Sequence, residues 1–160
     1  MNAQLLFAVL VGLQAAHSLE ETVFGLYDLL PYINWIDRLR PGGAFLFFMV
    51  GNTLFVSFGI WCYLARVRPK ARNAGVFVML WVILETLNGI LHPAWSLAAG
   101  TYIPGTGTAP FLLVAALVLF WRWTSEQAGE GPTLRGAPDW DRPAPPAARD
   151  RPTQAWRKRR

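Results

Sequence analysis

Four apolar runs, each near the length of a bilayer crossing, limit what this chain can fold into. The first extends from about Ala3 to Leu30 and is closed by Pro31. The second, about Ala44 to Leu64, follows the Pro41-Gly42-Gly43 turn signal, and the third, about Gly75 to His92, precedes Pro93. The fourth covers about Ala109 to Trp123; at roughly 15 residues it falls short of the ~20 a helical span needs, and Thr106 to Thr108 can extend it. In lipid every backbone N–H and C=O must find a partner within the protein, so such runs become helices. The expectation is an all-α, four-helix transmembrane bundle over residues 1–123.

Charge distribution supports this reading. Apolar residues make up 53% of the chain and charged residues 16%, and the charges lie mostly between the runs or near the C-terminus. The net charge of +5 comes from short loops and a tail, which argues against a nucleic-acid partner. Arg66, Arg68, Lys70 and Arg72 separate runs two and three, while the connection between runs three and four has neither Lys nor Arg. The positive-inside rule then places both termini in the cytoplasm, as expected of a multi-pass protein of a bacterial plasma membrane. Residues 2–4 contain no Lys or Arg, so the first run reads as a retained helix instead of a signal peptide. Residues 124–160 hold six of the twelve prolines and few aliphatics, the composition of a disordered basic tail. A single cysteine, Cys62, rules out an intrachain disulfide.

Polar residues interrupt the runs at particular places. His17, Glu20 and Glu21 are spaced i, i+3, i+4 and share one helix face. Glu85, Asn88 and His92, spaced i, i+3, i+7, do the same in the third run. At 1.5 Å per residue, His17 lies roughly 21 Å along from Ala3, and Asn88 and His92 roughly 21 and 27 Å from Ala74. Helix two runs the other way and brings Asn52 near the same level. Three ionised glutamates at such depth carry a penalty of order 9 kcal/mol. A bound divalent metal, whose site formation contributes on the order of 10 kcal/mol, can offset it. So can protonation, or pairing with Arg38 or Arg40. The loop Tyr102-Ile103-Pro104-Gly105, with Gly107, is rich in turn formers and is expected to cap the cluster.

These residues resemble the HXXEE-motif family of small membrane-embedded proteins. The matching motifs are HxxEE at His17-Ser18-Leu19-Glu20-Glu21, NxxxH at Asn88-Gly89-Ile90-Leu91-His92, and YxPG at Tyr102-Ile103-Pro104-Gly105. They occur in that order, and the resemblance covers roughly residues 5 to 122 and excludes the tail. It implies a polar site of metal-binding or enzymatic kind and names no substrate.

Three functions fit the residues. In the first, a metal-dependent membrane enzyme acts on an apolar or lipid-like small molecule. His17 and Glu21, with His92 and Glu85, would hold zinc, iron or manganese, and no organic cofactor is expected. Glu20 would be the general base by analogy with the inverzincin H-x-x-E-H order. Asn88, Tyr102 and Asn52 would bind or orient substrate. Two imidazoles and three carboxylates also suit a dinuclear site, although only one of the two histidine–carboxylate motifs of bundle-core di-iron proteins is present. In the second, the cluster serves a proton- or cation-coupled transporter, which with four helices would need to oligomerise. In the third, a fully hydrogen-bonded polar cluster fixes helix register in a scaffold without an open cavity.

Overall fold

The computed structural model describes residues 2–129. The tail expected to be disordered lies outside them from residue 130 onward. Among the described residues the secondary structure is helical throughout: α1 Ala3–Val23, a 3₁₀ turn Leu26–Leu29, α2 Pro31–Leu39, α3 Gly43–Cys62 with a π-turn Tyr63–Val67, α4 Ala74–Ala99 and α5 Ala109–Gly129. Among the described residues four helices are long and apolar enough to cross a membrane: α1, α3 with its π-turn, α4 and α5. The fold is therefore the expected four-helix bundle.

Segment ends differ from the sequence reading in three places, each with a local cause. The first span stops at Val23, not near Leu30, because Gly25 turns left-handed at φ 72° and the chain leaves the helix. Pro31 begins the short amphipathic α2 instead of ending a span. The third span runs through Pro93 to Ala99. A proline there forfeits one helical hydrogen bond, a loss that neighbouring helices let membrane helices absorb. The fourth span extends to Gly129, and its added turn matters: Glu126 Oε1 accepts from the Ala3 amide at 3.0 Å, closing an open N–H at the start of α1. Asp37, on α2, does the same for α3 by accepting from the Ala44 amide at 2.9 Å.

Packing follows helical periodicity. The buried stripe of α5 is Ala109, Leu112, Ala116 and Leu119, and it lies against α4 and α1. The stripe of α1 starts as Ala3, Leu6, Phe7, Leu10 and Val11, and that of α4 as Ala74, Val78, Trp81 and Val82. Apart from Ala74 and Ala109, these residues form one apolar core at the end of the bundle bearing the α1 N-terminus. Both stripes then turn polar: Gln14, His17, Ser18 and Glu21 on α1, Glu85 and His92 on α4. Helix α3 packs on α1 and meets α4 through aromatic rings, with Phe55 stacked on Trp81 at 5.0 Å and Trp61 edge-on to Phe77 at 5.6 Å.

Candidate functional site

Helices α1 and α4 bring His17, Glu21 and His92 together. Glu21 Oε1 lies 3.3 Å from His17 Nε2 and 3.2 Å from His92 Nε2. All three residues are buried, their ligand atoms lie within 4.8 Å of one another, and the rings meet edge-to-face. The i, i+4 spacing of His17 and Glu21 places both on one turn of α1, and the long α4 carries His92 up to the same level.

The outer nitrogens of both imidazoles are tied down. His92 Nδ1 is 2.8 Å from the Pro104 carbonyl oxygen, which can only accept, so Nδ1 carries the proton. His17 Nδ1 is 2.7 Å from Thr108 Oγ1, a hydroxyl that also reaches the Gly105 carbonyl at 3.4 Å. With the Thr108 hydrogen turned to that carbonyl, His17 Nδ1 also carries the proton. In the neutral rings, both Nε2 lone pairs then face a single carboxylate oxygen. His17 Nε2 is wholly buried and has no hydrogen-bond partner.

The loop between α4 and α5 caps the cluster, as the YxPG stretch led us to expect. Gly105 sits at φ +96°, and a Cβ there would come within 2.6 Å of His92 Nδ1 and 2.8 Å of His17 Cε1, so only glycine fits both backbone and space. Glu20 fastens this loop. Its Oε1 accepts from the amides of Gly105 at 3.0 Å and Gly107 at 2.9 Å and from the Tyr102 hydroxyl, and its Oε2 accepts from the Thr108 amide at 2.8 Å. Three of these donors are backbone N–H groups at the start of α5, where the helix dipole also favours an anion. Partial burial, then the bond to Glu20 and its charge, raise the Tyr102 hydroxyl above the usual phenol range, which keeps it a donor.

Glu85 stands apart from the three-residue cluster. It is wholly buried, and its Oε2 accepts from Asn88 Nδ2 at 3.3 Å. One end of the Gln14 amide lies 2.8 Å from Glu85 Oε2 and 3.2 Å from Oε1, the other 3.0 Å from Ser18 Oγ. With its nitrogen toward Glu85, Gln14 satisfies an ionised carboxylate; with its oxygen there, it needs a protonated one. Ser18 Oγ is also 3.2 Å from Asn52 Oδ1. Sequence reasoning passed over Gln14, Ser18 and Thr108. Gln14 and Ser18 share the helix face of His17 and Glu21, so carrying that face one turn back finds Gln14. Nothing in the local pattern links Thr108 to His17, 91 residues away.

A cavity of about 530 Å³ opens beside the cluster between α1, α3 and α4. Gln14, Glu21, Asn52, Asn88 and His92 give it a polar side; Phe48, Phe55, Leu84, Leu87 and Leu91 are among its apolar walls.

Fold and site together define a small helical membrane protein with a buried His₂–Glu cluster under a glycine-rich cap. The chain belongs to the family described as "protein of unknown function with HXXEE motif", whose model matches residues 8–120. No curated protein and no solved structure matches it.

Proposed function

We propose that this is a metal-dependent membrane enzyme in which His17, Glu21 and His92 hold one divalent ion (zinc, iron or manganese) and the substrate is apolar or lipid-like. The observation that carries the reading is the placement of both Nε2 atoms at 3.2–3.3 Å from Glu21 Oε1, with His17 Nε2 buried and outside any hydrogen bond; with both rings protonated at Nδ1, two lone pairs face one carboxylate oxygen. Without a cation or proton between them these atoms repel. Their separations of 3.2 and 3.3 Å are long for a charge-assisted N–H···O bond of about 2.7–2.9 Å. They are close to the ~3.4 Å that separates two ligands about 2.0–2.1 Å from a tetrahedral ion. The two imidazole nitrogens, farther apart, would close onto such an ion. Thr108 and the Pro104 carbonyl supply the outer bonds that fix the tautomer of metal-binding histidines.

Three protein ligands leave a coordination position open, as in catalytic sites, and an ion there supplies Lewis acidity or a water of lowered pKa. Glu21 and His92 both line the cavity, which gives a ligand access to that side. Within this reading Glu20 is a positioning residue in place of the general base expected of it, because its oxygens already take the bonds that hold the cap. Glu85 belongs to the amide network of Gln14 and Asn88 and is not a ligand. The cavity and the orphaned His17 Nε2 favour this reading over a scaffold whose cluster is fully satisfied.

Metal analysis after purification without chelators tests it. We expect about one equivalent per chain in the parent protein and loss in His17→Ala, Glu21→Ala and His92→Ala. A parent protein free of stoichiometric metal overturns the proposal.

A further inference from the structure

At the bundle end bearing the α1 N-terminus, the polar residues are cations. Arg66, Arg68, Lys70 and Arg72 lie close together in the chain, and no Asp or Glu occurs between Asp37 and Glu85. Arg66 differs from the other three in position. It lies inside the apolar span Gly43–Val67, and the others lie beyond it. Topology asks only for cations in the loop, so it leaves a charge within the span unexplained.

The backbone around Arg66 is fixed. In the π-turn the Arg68 amide donates to the Tyr63 carbonyl at 2.8 Å, and the Ala71 amide donates to the Arg66 carbonyl at 2.9 Å. From α1, the Gln4 side-chain amide donates to the Arg68 carbonyl at 3.1 Å. Single π-turns within helices recur at functional sites. Two rings then hold the side chain: Arg66 Cζ is 5.2 Å from the Trp61 ring centre and 5.9 Å from that of Phe77 on α4. Nε is shielded, but the side chain as a whole is only half-buried. Among the described residues no carboxylate pairs with this guanidinium and no acceptor meets its terminal nitrogens. The result is a planar fork of donors, fixed where a span ends and lipid phosphates begin, with its charge unmet.

We infer that this corner of the bundle binds the headgroup of an anionic phospholipid. Arg66 donates to two phosphate oxygens through its terminal nitrogens, a fit that guanidinium has and ammonium lacks. The loop cations beside it favour a headgroup of net negative charge over a zwitterionic one, about fivefold for each Lys or Arg. The site is separate from the His17–Glu21–His92 cluster and does not depend on a metal there.

The test is native mass spectrometry of the full chain in detergent, titrated with phosphatidylglycerol and with phosphatidylcholine of the same acyl chains. One phosphatidylglycerol should be retained, at least about tenfold tighter than phosphatidylcholine. Arg66→Gln should weaken phosphatidylglycerol binding about tenfold, the value of a charge-assisted bond. Arg66→Lys keeps the charge and should not restore it, which a merely electrostatic role would. Arg72→Gln, in the exposed loop, should cost about fivefold or less. Equal retention of the two lipids by the parent protein overturns the inference, and that comparison needs no variant to fold. So does full binding by Arg66→Lys with Arg72→Gln as costly as Arg66→Gln, the signature of diffuse loop charge. Free glycerol phosphate that displaces the lipid at equal concentration would make this a site for soluble phosphates and overturns the lipid assignment.

Discussion

Along α1 the buried stripe runs Ala3, Leu6, Phe7, Leu10, Val11 and then Gln14, His17, Ser18, Glu21; along α4 it runs Val78, Trp81, Val82 and then Glu85, Gly89, His92. The same periodicity builds two different interiors. The lower one is dry, with Trp81 at its centre edge-on to Phe7 and stacked against Phe55. Lipid chains are as apolar as these side chains, so what holds the lower half together is close packing, not exclusion from water. The upper half contains three carboxylates, two imidazoles and the neutral polar side chains of Gln14, Ser18, Asn52, Asn88, Tyr102 and Thr108, and its order comes from directed bonds. One half can lose shape-matched volume and the other can lose partners, so mutations in them should fail in different ways.

The largest effect is expected in the dry half. Trp81→Ala removes a fully buried indole and should lower unfolding stability by about 3–5 kcal/mol. The folded fraction should keep its metal, since no ligand touches Trp81. Equilibrium unfolding in mixed micelles, with metal measured on the folded material, checks both parts. Loss of metal from well-folded Trp81→Ala would mean that the two halves are coupled and do not fail independently.

In the polar half the order should reverse, with function hit harder than stability. Thr108→Val removes the acceptor of His17 Nδ1–H and leaves the ring free to change tautomer. Metal affinity should fall about 10–100-fold, as for other supports of metal-bound histidines. Stability should fall by about 1 kcal/mol, the usual net value of one hydrogen bond. Competitive titration against a chromogenic chelator gives the first quantity, and unfolding of the metal-free protein the second. An unchanged affinity would remove Thr108 from the site.

The two halves also differ in how much of them the sequence discloses. The dry half and the four spans follow from apolar runs and helical period alone, because packing against lipid or a neighbouring helix needs only the right residue type on the right face. The meeting of His17, Glu21 and His92 followed from depth: two helices running the same way, with polar turns at matching heights. The partners that orient those residues were not legible. Glu20 reads as a free base within HxxEE, yet its bonds go to amides of Gly105, Gly107 and Thr108, more than 80 positions away, and backbone donors carry no side-chain signature. Asp37 is silent in the sequence for the same reason: its partner is the Ala44 amide. Pro93 read as a terminator because that rule comes from helices in water, where no neighbouring helix supports the gap.

Glu85 gives the smallest expected effect and the finest distinction. It was a candidate metal ligand by helix spacing, yet its carboxylate sits among the Gln14 and Asn88 amides. Glu85→Gln keeps shape and one acceptor, and the Gln14 amide can turn to match either end of the new one. Stability should change by less than about 1 kcal/mol, because each bond is exchanged for another of similar kind. Metal content should equal that of the parent. If instead Glu85→Gln empties the site while His17→Ala does not, the ligand set shifts toward α4, and the polar half must be redrawn around Glu85 with the Gln14 network as its support.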